Sequence, residues 1–394
     1  MSMRRVLLLG ARSPACLEWC RSFAAAGWEV FTADSMRNTI AGASKYSSAY
    51  LRLPPTRTAL DAWIRAISEA VEQKGIELVL PTCEEAFFLS LRRSALSRCT
   101  VPVSPIALMR QLHNKEAFAR LAGKLPISAP STERIASVEE LEIFLESSGE
   151  WVFKAAWSRF AARTLVKPTR QAMRNFAAKH GISPAVPLLA QQYVAGDEYC
   201  TFGIFYDGIL TAHCCYRPRY RAGIGAGIYL EPARIEELEV FARVFGQKTG
   251  YTGQAGFDFI HTAKGQWQVL ECNPRATSGV HFFTECRKEF VATLMGNGPK
   301  SGGILRGDEH PRMLTPALLL YAGRNALRTA FWRDVLRRRA RDFLWDPADP
   351  APSFAQFVTF GDFLRTAIRR NISVLEATTH DIEWNGEGGS TACS

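Results

Sequence analysis

Residues 254–275 read QAGFDFIHTAKGQWQVLECNPR. Two runs rich in β-branched and aromatic residues, 255–261 and 266–272, flank the dipeptide Lys264-Gly265. That arrangement predicts a β-hairpin closed by a tight turn. With Lys264 and Gly265 as the two turn residues, antiparallel pairing sets Asp258 opposite Glu271. Opposed Cβ atoms lie about 4.5–5.5 Å apart, so two carboxylates face each other. Asn273, two residues past Glu271, points to the same face. Like charges opposed on a sheet repel unless a cation lies between them. A hard divalent ion such as Mg²⁺ takes oxygen donors of this kind. Pro274 ends the strand, and Arg275 adds a fork suited to phosphate. The plain alternative is an exposed hairpin carrying two solvated, unrelated carboxylates. Both strands are otherwise apolar, which weighs against it, because burying an unpaired carboxylate is costly.

Asp258 and the run Glu271-Cys-Asn273-Pro-Arg275 resemble the metal-binding signature of the ATP-grasp superfamily, most of whose enzymes are ATP-dependent carboxylate–amine ligases. Further matches follow in family order. In His113-Asn114-Lys115-Glu-Ala-Phe118, predicted to open a helix, Lys115 matches a lysine that reaches the ATP phosphates; Asn114 stands where Asp is more frequent. Lys154, ending the strand predicted at 151–154, matches a lysine that contacts the α-phosphate and the adenine edge. A lysine in an apolar strand is expensive unless it meets an anion. The strand 188–193 (LLAQQY) and the following Val194-Ala-Gly196-Asp-Glu198 match the hinge between the two halves that grip ATP. The resemblance places Gln191 at the adenine amino group, the backbone of Gln192 and Val194 against adenine, and Glu198 on the ribose hydroxyls. Singly, Lys115 reads as a solvated lysine and the hinge residues as a polar strand end with a Gly turn, whereas the apolar strand favours a functional role for Lys154.

Together the matches imply ATP and Mg²⁺, with Mn²⁺ as a substitute, held by Lys115, Lys154 and the hinge. They make Asp258, Glu271 and Asn273 the metal ligands, with Lys154 and Arg275 as catalytic groups that neutralise phosphoryl charge. The run Ala276-Thr-Ser278-Gly-Val-His281 resembles a small-residue loop lining the acid pocket. Substrate candidates are therefore Ser278 and His281, with Arg275, and with Arg217 and Arg219 ahead of the Gly-rich 223–227; a flexible exposed loop would read the same. One departure concerns the phosphate lid, glycine-rich in most members. Here residues 155–163 hold no glycine, and Ser158, Arg159 and Arg163 would supply donors from side chains.

Upstream, strands at 4–10, 28–34, 76–81 and 100–103 alternate with helices at 14–26, 58–73 and 85–96, predicting an open parallel sheet. The dinucleotide fingerprint is missing, since Gly10-Ala-Arg-Ser-Pro14 is not G-x-G-x-x-G. Asp34 at a strand end is then an ordinary acidic residue before it is a ribose ligand. Ligands in such sheets sit beyond the carboxyl ends of strands, which brings in Thr82 and Glu84, although surface-loop residues would look alike. The expected architecture is α/β (α+β) in four parts. A Rossmann-like, pre-ATP-grasp parallel-sheet domain spans 1–108 and a small lobe with the lid 109–195. A central lobe with the metal site spans 196–300, and a mostly helical addition outside the shared core spans 301–394. Within the addition, a helical 317–344, a helix at 360–372 and a last strand at 378–384 are expected.

Composition sets outer limits. The chain has 394 residues, 47% hydrophobic, with net charge +10 and ten scattered cysteines without a C-x-x-C pair. Such cysteines read as reduced thiols of a cytoplasmic protein. No signal peptide is expected at Met1-Ser-Met-Arg-Arg, and no apolar run approaches the ~20 residues of a membrane span. Arginines 324, 328, 333, 337, 338, 339 and 341 lie among Leu, Phe and Trp. They could contact an anionic membrane or an acidic partner; a solvated or snorkelling face is the preferred reading. Nucleic acid is not expected, and a homodimer stays open. The implied reaction activates a small carboxylic or amino acid as an acyl phosphate and joins it to an amine. The rivals are a non-amine acceptor, and a non-catalytic ATP-binding module, which the glycine-free lid favours.

Overall fold

The computed structural model describes residues 3–157, 164–184, 187–222, 227–298, 303–321, 323–337 and 340–386. The chain begins with an all-parallel sheet of β1 (Arg5–Leu9), β2 (Glu29–Asp34), β3 (Ser47–Arg52) and β4 (Leu78–Pro81), ordered β3-β2-β1-β4. β1 and β4 are apolar and buried nearly throughout, as parallel strands covered on both faces must be. β3 is a half-exposed edge strand, SSAYLR, and its mixed polarity explains why no strand is expected there. The strand expected at 100–103 is reduced to a bridge between Leu78 and Thr100. Helices α1 (Pro14–Ala25), α2 (Leu60–Lys74) and α3 (Glu85–Leu91) accompany this sheet. Ser13 caps α1 by accepting the Cys16 N–H, and Pro14 needs no partner at the first helical position. That Ser-Pro start occupies the turn where a dinucleotide fold carries glycines.

After α4 (Ile106–His113) and α5 (Lys115–Ala122), the small lobe is an antiparallel sheet. Its strands are β5 (Thr132–Ile135), β6 (Trp151–Ala155), β7 (Thr164–Val166) and β8 (Leu188–Gln192), ordered β5-β8-β6-β7. With α6 (Val138–Leu145) and α7 (Arg170–His180) it encloses a core of its own, including Ile135, Leu141, Phe153, Met173 and Leu188. The first sheet and the central sheet, in contrast, share one core in which Leu7, Phe87 and Phe118 join Phe241, Phe245 and Phe257.

The central sheet runs β13-β12-β9-β10-β11-β15-β16, with β14 also beside β10. Its strands are β9 (Gly196–Tyr206), β10 (Ile209–Arg221), β11 (Gly227–Ala233), β12 (Gly253–Thr262), β13 (Trp267–Asn273), β14 (Leu305–Arg306), β15 (Arg312–Met313) and β16 (Arg341–Asp342). Asp207 and Gly208 both take positive φ between β9 and β10, the mirror-image turn whose twist suits a hairpin. Helices α8 (Glu236–Thr249) and α9 (Arg287–Thr293) complete this part.

Beyond residue 300 the chain is less purely helical than expected, since β14, β15 and β16 extend the central sheet. The helical stretch expected over 317–344 is broken into α10 (Thr315–Leu320), a short 3₁₀ turn and α11 (Thr329–Arg337) before β16. α12 (Ala351–Arg370) starts nine residues ahead of the expected helix at 360, and α13 (Val374–Ala377) precedes turns and extended chain where a last strand is expected. Arg338 and Arg339 lie outside the described residues.

The tail is fastened to the first sheet by buried charge. Arg12 donates to Asp34 at 3.0 Å and to both carboxylate oxygens of Asp381 at 2.7 and 2.8 Å. Arg21 bonds Asp349 at 3.1 Å. Burial would raise the Asp381 carboxyl, yet the Arg12 contacts outweigh it and hold it down at about 2. Asp34 is thus committed to Arg12 rather than open to a ribose. Removing one partner of a buried ion pair strands the other and costs about 3–5 kcal/mol. Asp34→Ala should therefore lower the unfolding free energy obtained from denaturant titration by about 3–5 kcal/mol, whereas Arg98→Ala, which breaks the exposed pair with Glu72, should leave it unchanged. Equal effects would contradict the assignment.

Candidate active site

Asp258 on β12 faces Glu271 on β13. Two departures from the simple hairpin cancel to give this register. The tip is a three-residue loop, with the Thr262 N–H donating to the Gln266 carbonyl at 2.9 Å and Gly265 at φ +77; a left-handed third residue is usual there. β13 then carries an extra residue, Leu270, so that Phe259 pairs with Val269 but Asp258 with Glu271. Such a bulge re-aims the side chains beyond it. In register across the sheet stand Glu271, Asp258, Cys200 and Tyr216. Asn273 donates from Nδ2 to Asp258 at 3.3 Å and to Glu271 at 3.4 Å.

Charge is divided unevenly over this pair. Burial, then the facing Glu271, pushes Asp258 up to about 7. Burial would raise Glu271 as well, but Lys115 and Lys154 outweigh it and hold it at about 2. Lys115 Nζ lies 3.5 Å from Glu271 Oε2. Lys154, 6% exposed, is itself brought down to about 8 by burial. One carboxylate is therefore neutralised by lysines and the other lacks an adequate cation. Two carboxylates and an amide form an oxygen set that fits a hard divalent ion. Among the described residues no group of three or more His, Cys, Asp or Glu could hold a metal, so further ligands would have to come from phosphates and water. For Asn273 to offer Oδ1, now bonded to Arg275 Nη2 at 3.0 Å, its amide must turn over.

The lysines are placed by separate elements. Asn114 caps α5 by accepting the Ala117 N–H, which starts the helix at Lys115 rather than at His113 as expected. Lys154, one residue before the end of the apolar β6, donates to Gln191 Oε1 at 2.8 Å, while Gln191 Nε2 donates to Thr132. The Gln191 side chain therefore positions Lys154 instead of standing free for an adenine amino group. Gln192 donates its N–H to Ser131 and Tyr193 to Glu150. Among the described residues nothing takes up the backbone groups of Val194, which stay available. Glu198, half exposed, is paired with Arg221, so a ribose would have to compete with that arginine.

The substrate candidates scatter. Arg275 stays beside the acidic pair, donating to Asn273 at 3.0 Å. Arg217 pairs with Asp197 and Arg219 with Glu231 and the buried Asp334 at 2.8 Å, which makes Arg219 a fastener of α11. His281 is withdrawn: it is 2% exposed, stacks on Phe343 at 4.3 Å, and sits 3.7 Å from Glu18. Ser278, half-buried, opens a 3₁₀ turn. Ser158, Arg159 and Arg163 of the lid, and residues 223–226, lie outside the described residues.

Sequence reasoning overlooked an aromatic plug. Thr82 and Glu84, read as loop residues, are buried at the carboxyl end of β4. Glu84 accepts the Trp384 N–H at 2.8 Å. The Trp384 ring stacks on Phe87 at 4.7 Å and meets Trp157 edge-on at 5.3 Å. His113 packs against Phe87 and Trp384, and burial lowers its imidazole to about 4. No local pattern could have revealed a contact spanning 300 residues.

No family model matches the sequence. A curated relative, the mitochondrial arginine-specific carbamoyl phosphate synthase large chain of Neurospora crassa, is 22% identical over 188 residues. That match spans 44% of this chain and 16% of the longer enzyme. Among solved structures, N5-carboxyaminoimidazole synthetase of Staphylococcus aureus superposes with TM-score 0.61 at 12% identity, over 84% of this chain and 89% of that one. The L-amino acid ligase of Bacillus licheniformis gives 0.60 at 13% identity, over 76% of each. The biotin carboxylase domain of Hydrogenobacter thermophilus 2-oxoglutarate carboxylase, solved with MgADP and bicarbonate, gives 0.59 at 15%, over 76% of this chain and 71% of that one. At such identities the likeness is one of fold.

Because a divalent ion needs Asp258 ionised, its binding should release a proton below pH 7. The apparent Mg²⁺-ADP affinity should rise with pH by up to about tenfold per unit below pH 7 and level off by pH 8. Calorimetry in buffers of different ionisation enthalpy checks both; a pH-independent affinity with no proton release would contradict the carboxylate arrangement.

Proposed function

From the ATP-grasp fold that this chain shares with those enzymes, we propose that it is an ATP- and Mg²⁺-dependent, ADP-forming ligase. It activates a small carboxylic or amino acid as an acyl phosphate and joins it to an amine as an amide. The observation that carries this reading is the Asp258–Glu271 pair with Lys115 and Lys154 converging on Glu271 from two other elements. Adenine lies against the strand end at Gln192 and Val194, and the triphosphate runs between the two lysines and the paired carboxylates.

Asp258, Glu271 and Asn273 would hold the Mg²⁺, which would supply charge neutralisation to the phosphates. Lys115 and Lys154 hold the phosphates from the other side, and Arg275, fixed by Asn273 and the Ala276 carbonyl, stabilises charge on the transferred group. The acid's carboxylate oxygen attacks the γ-phosphorus, and ADP leaves with the bridging oxygen's electrons. The amine then attacks the acyl carbon, phosphate departs, and the nitrogen loses a proton to water. No protein nucleophile is required, since positioning and charge neutralisation carry phosphoryl transfer. Trp384 and Phe87 fill the end of the first sheet, which favours a small acid. Bicarbonate is a second reading for that acid, favoured by the same closed crevice and by the bicarbonate-bound structural relative.

ADP release measured over a panel of amino acids, carboxylic acids and bicarbonate, each with amines, tests this. Acid-stimulated turnover is expected, and Glu271→Gln or Lys154→Ala should lower it at least ~100-fold with near-normal melting. Nucleotide binding without any acid-stimulated turnover would make the chain a binding module instead.

A further inference from the structure

Trp157, just past the end of β6 at Ala155, does not pack with the small lobe's own core. It lies instead against the core shared by the first and central sheets. Its ring meets Trp384 edge-on at 5.3 Å and lies 5.8 Å from His113. The main chain at Gly386 passes so close to the same indole that an added Cβ would stand 2.7 Å from it. The φ of +92 there is one that glycine adopts readily. Trp384 in turn is fixed to the first sheet. Its N–H donates to Glu84 at 2.8 Å, its ring stacks on Phe87 of α3 at 4.7 Å, and nearby Asp381 is held by Arg12 at 2.7 and 2.8 Å. On the lobe's side, the carbonyl of Ala156 accepts the Lys115 N–H at 3.2 Å. One short run, 154–157, therefore carries Lys154, the bond that seats Lys115, and the ring that Trp384 touches.

We propose that Trp384 is a positioning residue for the nucleotide site. By gripping Trp157 it holds the end of β6, and with it Lys154 and Lys115, in place before nucleotide arrives; this rests on the nucleotide site proposed above. Lysines already in position need less ordering when phosphate binds, and the saved ordering appears as affinity. The tail thereby acts on a site that none of its own side chains touches. Two other roles for the ring make different forecasts. A ring that only filled the end of the first sheet would, on removal, leave β6 as it was. A ring that obstructed the nucleotide would, on removal, tighten its binding. An edge-to-face aromatic pair with its buried area shifts a binding constant by roughly tenfold.

Calorimetry of MgADP binding at about pH 8, where its affinity has levelled off, together with amide hydrogen exchange of the free full chain, tests this. Trp384→Ala should weaken MgADP roughly tenfold. It should also speed exchange over 151–157 and at the Lys115 amide, leaving β12 and β13 unchanged. Trp157→Ala, at a half-buried position, should do the same. The double variant should be no worse than either single one, as for residues acting through one contact. Trp384→Phe should recover most of the affinity, and Trp345→Ala, which removes an exposed tail indole, should alter neither readout. Unchanged exchange over 151–157, unchanged or tighter MgADP binding, additive losses in the double variant, or an equal loss in Trp345→Ala would overturn the proposal. If the wild type binds no MgADP, the ligase reading fails and the exchange pattern alone decides the positioning role.

Discussion

Two carboxylates held face to face across a hairpin create a charge imbalance that the surrounding structure resolves only in part. Lys115, from the start of α5, and Lys154, from near the end of β6, both bear on Glu271. Asp258, one strand over, is left near neutrality. The small lobe has its own core, yet its lysine reaches the acidic pair of the central sheet. Charge thus links the two lobes in addition to the packing of Trp157 on Trp384. Satisfying Glu271 while leaving Asp258 short of charge suits a site awaiting a cation, because full compensation in the protein alone would remove the reason to bind one.

Much of this was legible in the sequence because the signals were local. The pairing of Asp258 with Glu271 follows from two β-rich runs and a Lys-Gly step, although the chain reaches it by a different route. A three-residue loop shifts the register by one and the bulge at Leu270 restores it. Lys154 was identifiable because an apolar strand rarely carries a lysine without a purpose. Gln191 was matched by position only, and its side chain turned inward to that same lysine. His281 shows a further limit: proximity in sequence to the acid-pocket loop could not reveal that Phe343 and Glu18 enclose it.

What stayed hidden was mostly the tail. Its partners lie hundreds of residues away, and its strands are two residues long, too short for any periodicity to register. The basic stretch around α11 drew notice as a surface feature, while the side chains that fasten this part of the chain, Asp334, Asp349 and Asp381, are single acids meeting arginines on distant elements. A lone aspartate in a loop has no signature of the ion pair it will enter.

The Arg12–Asp381 contact joins residues 369 apart. At a translation rate of roughly 5–20 residues per second, about 20–70 s separate the synthesis of those two side chains. Throughout that interval the nascent first sheet has only Asp34 for Arg12. Until the last part of the chain arrives, that layer lacks its covering indole and its second acid.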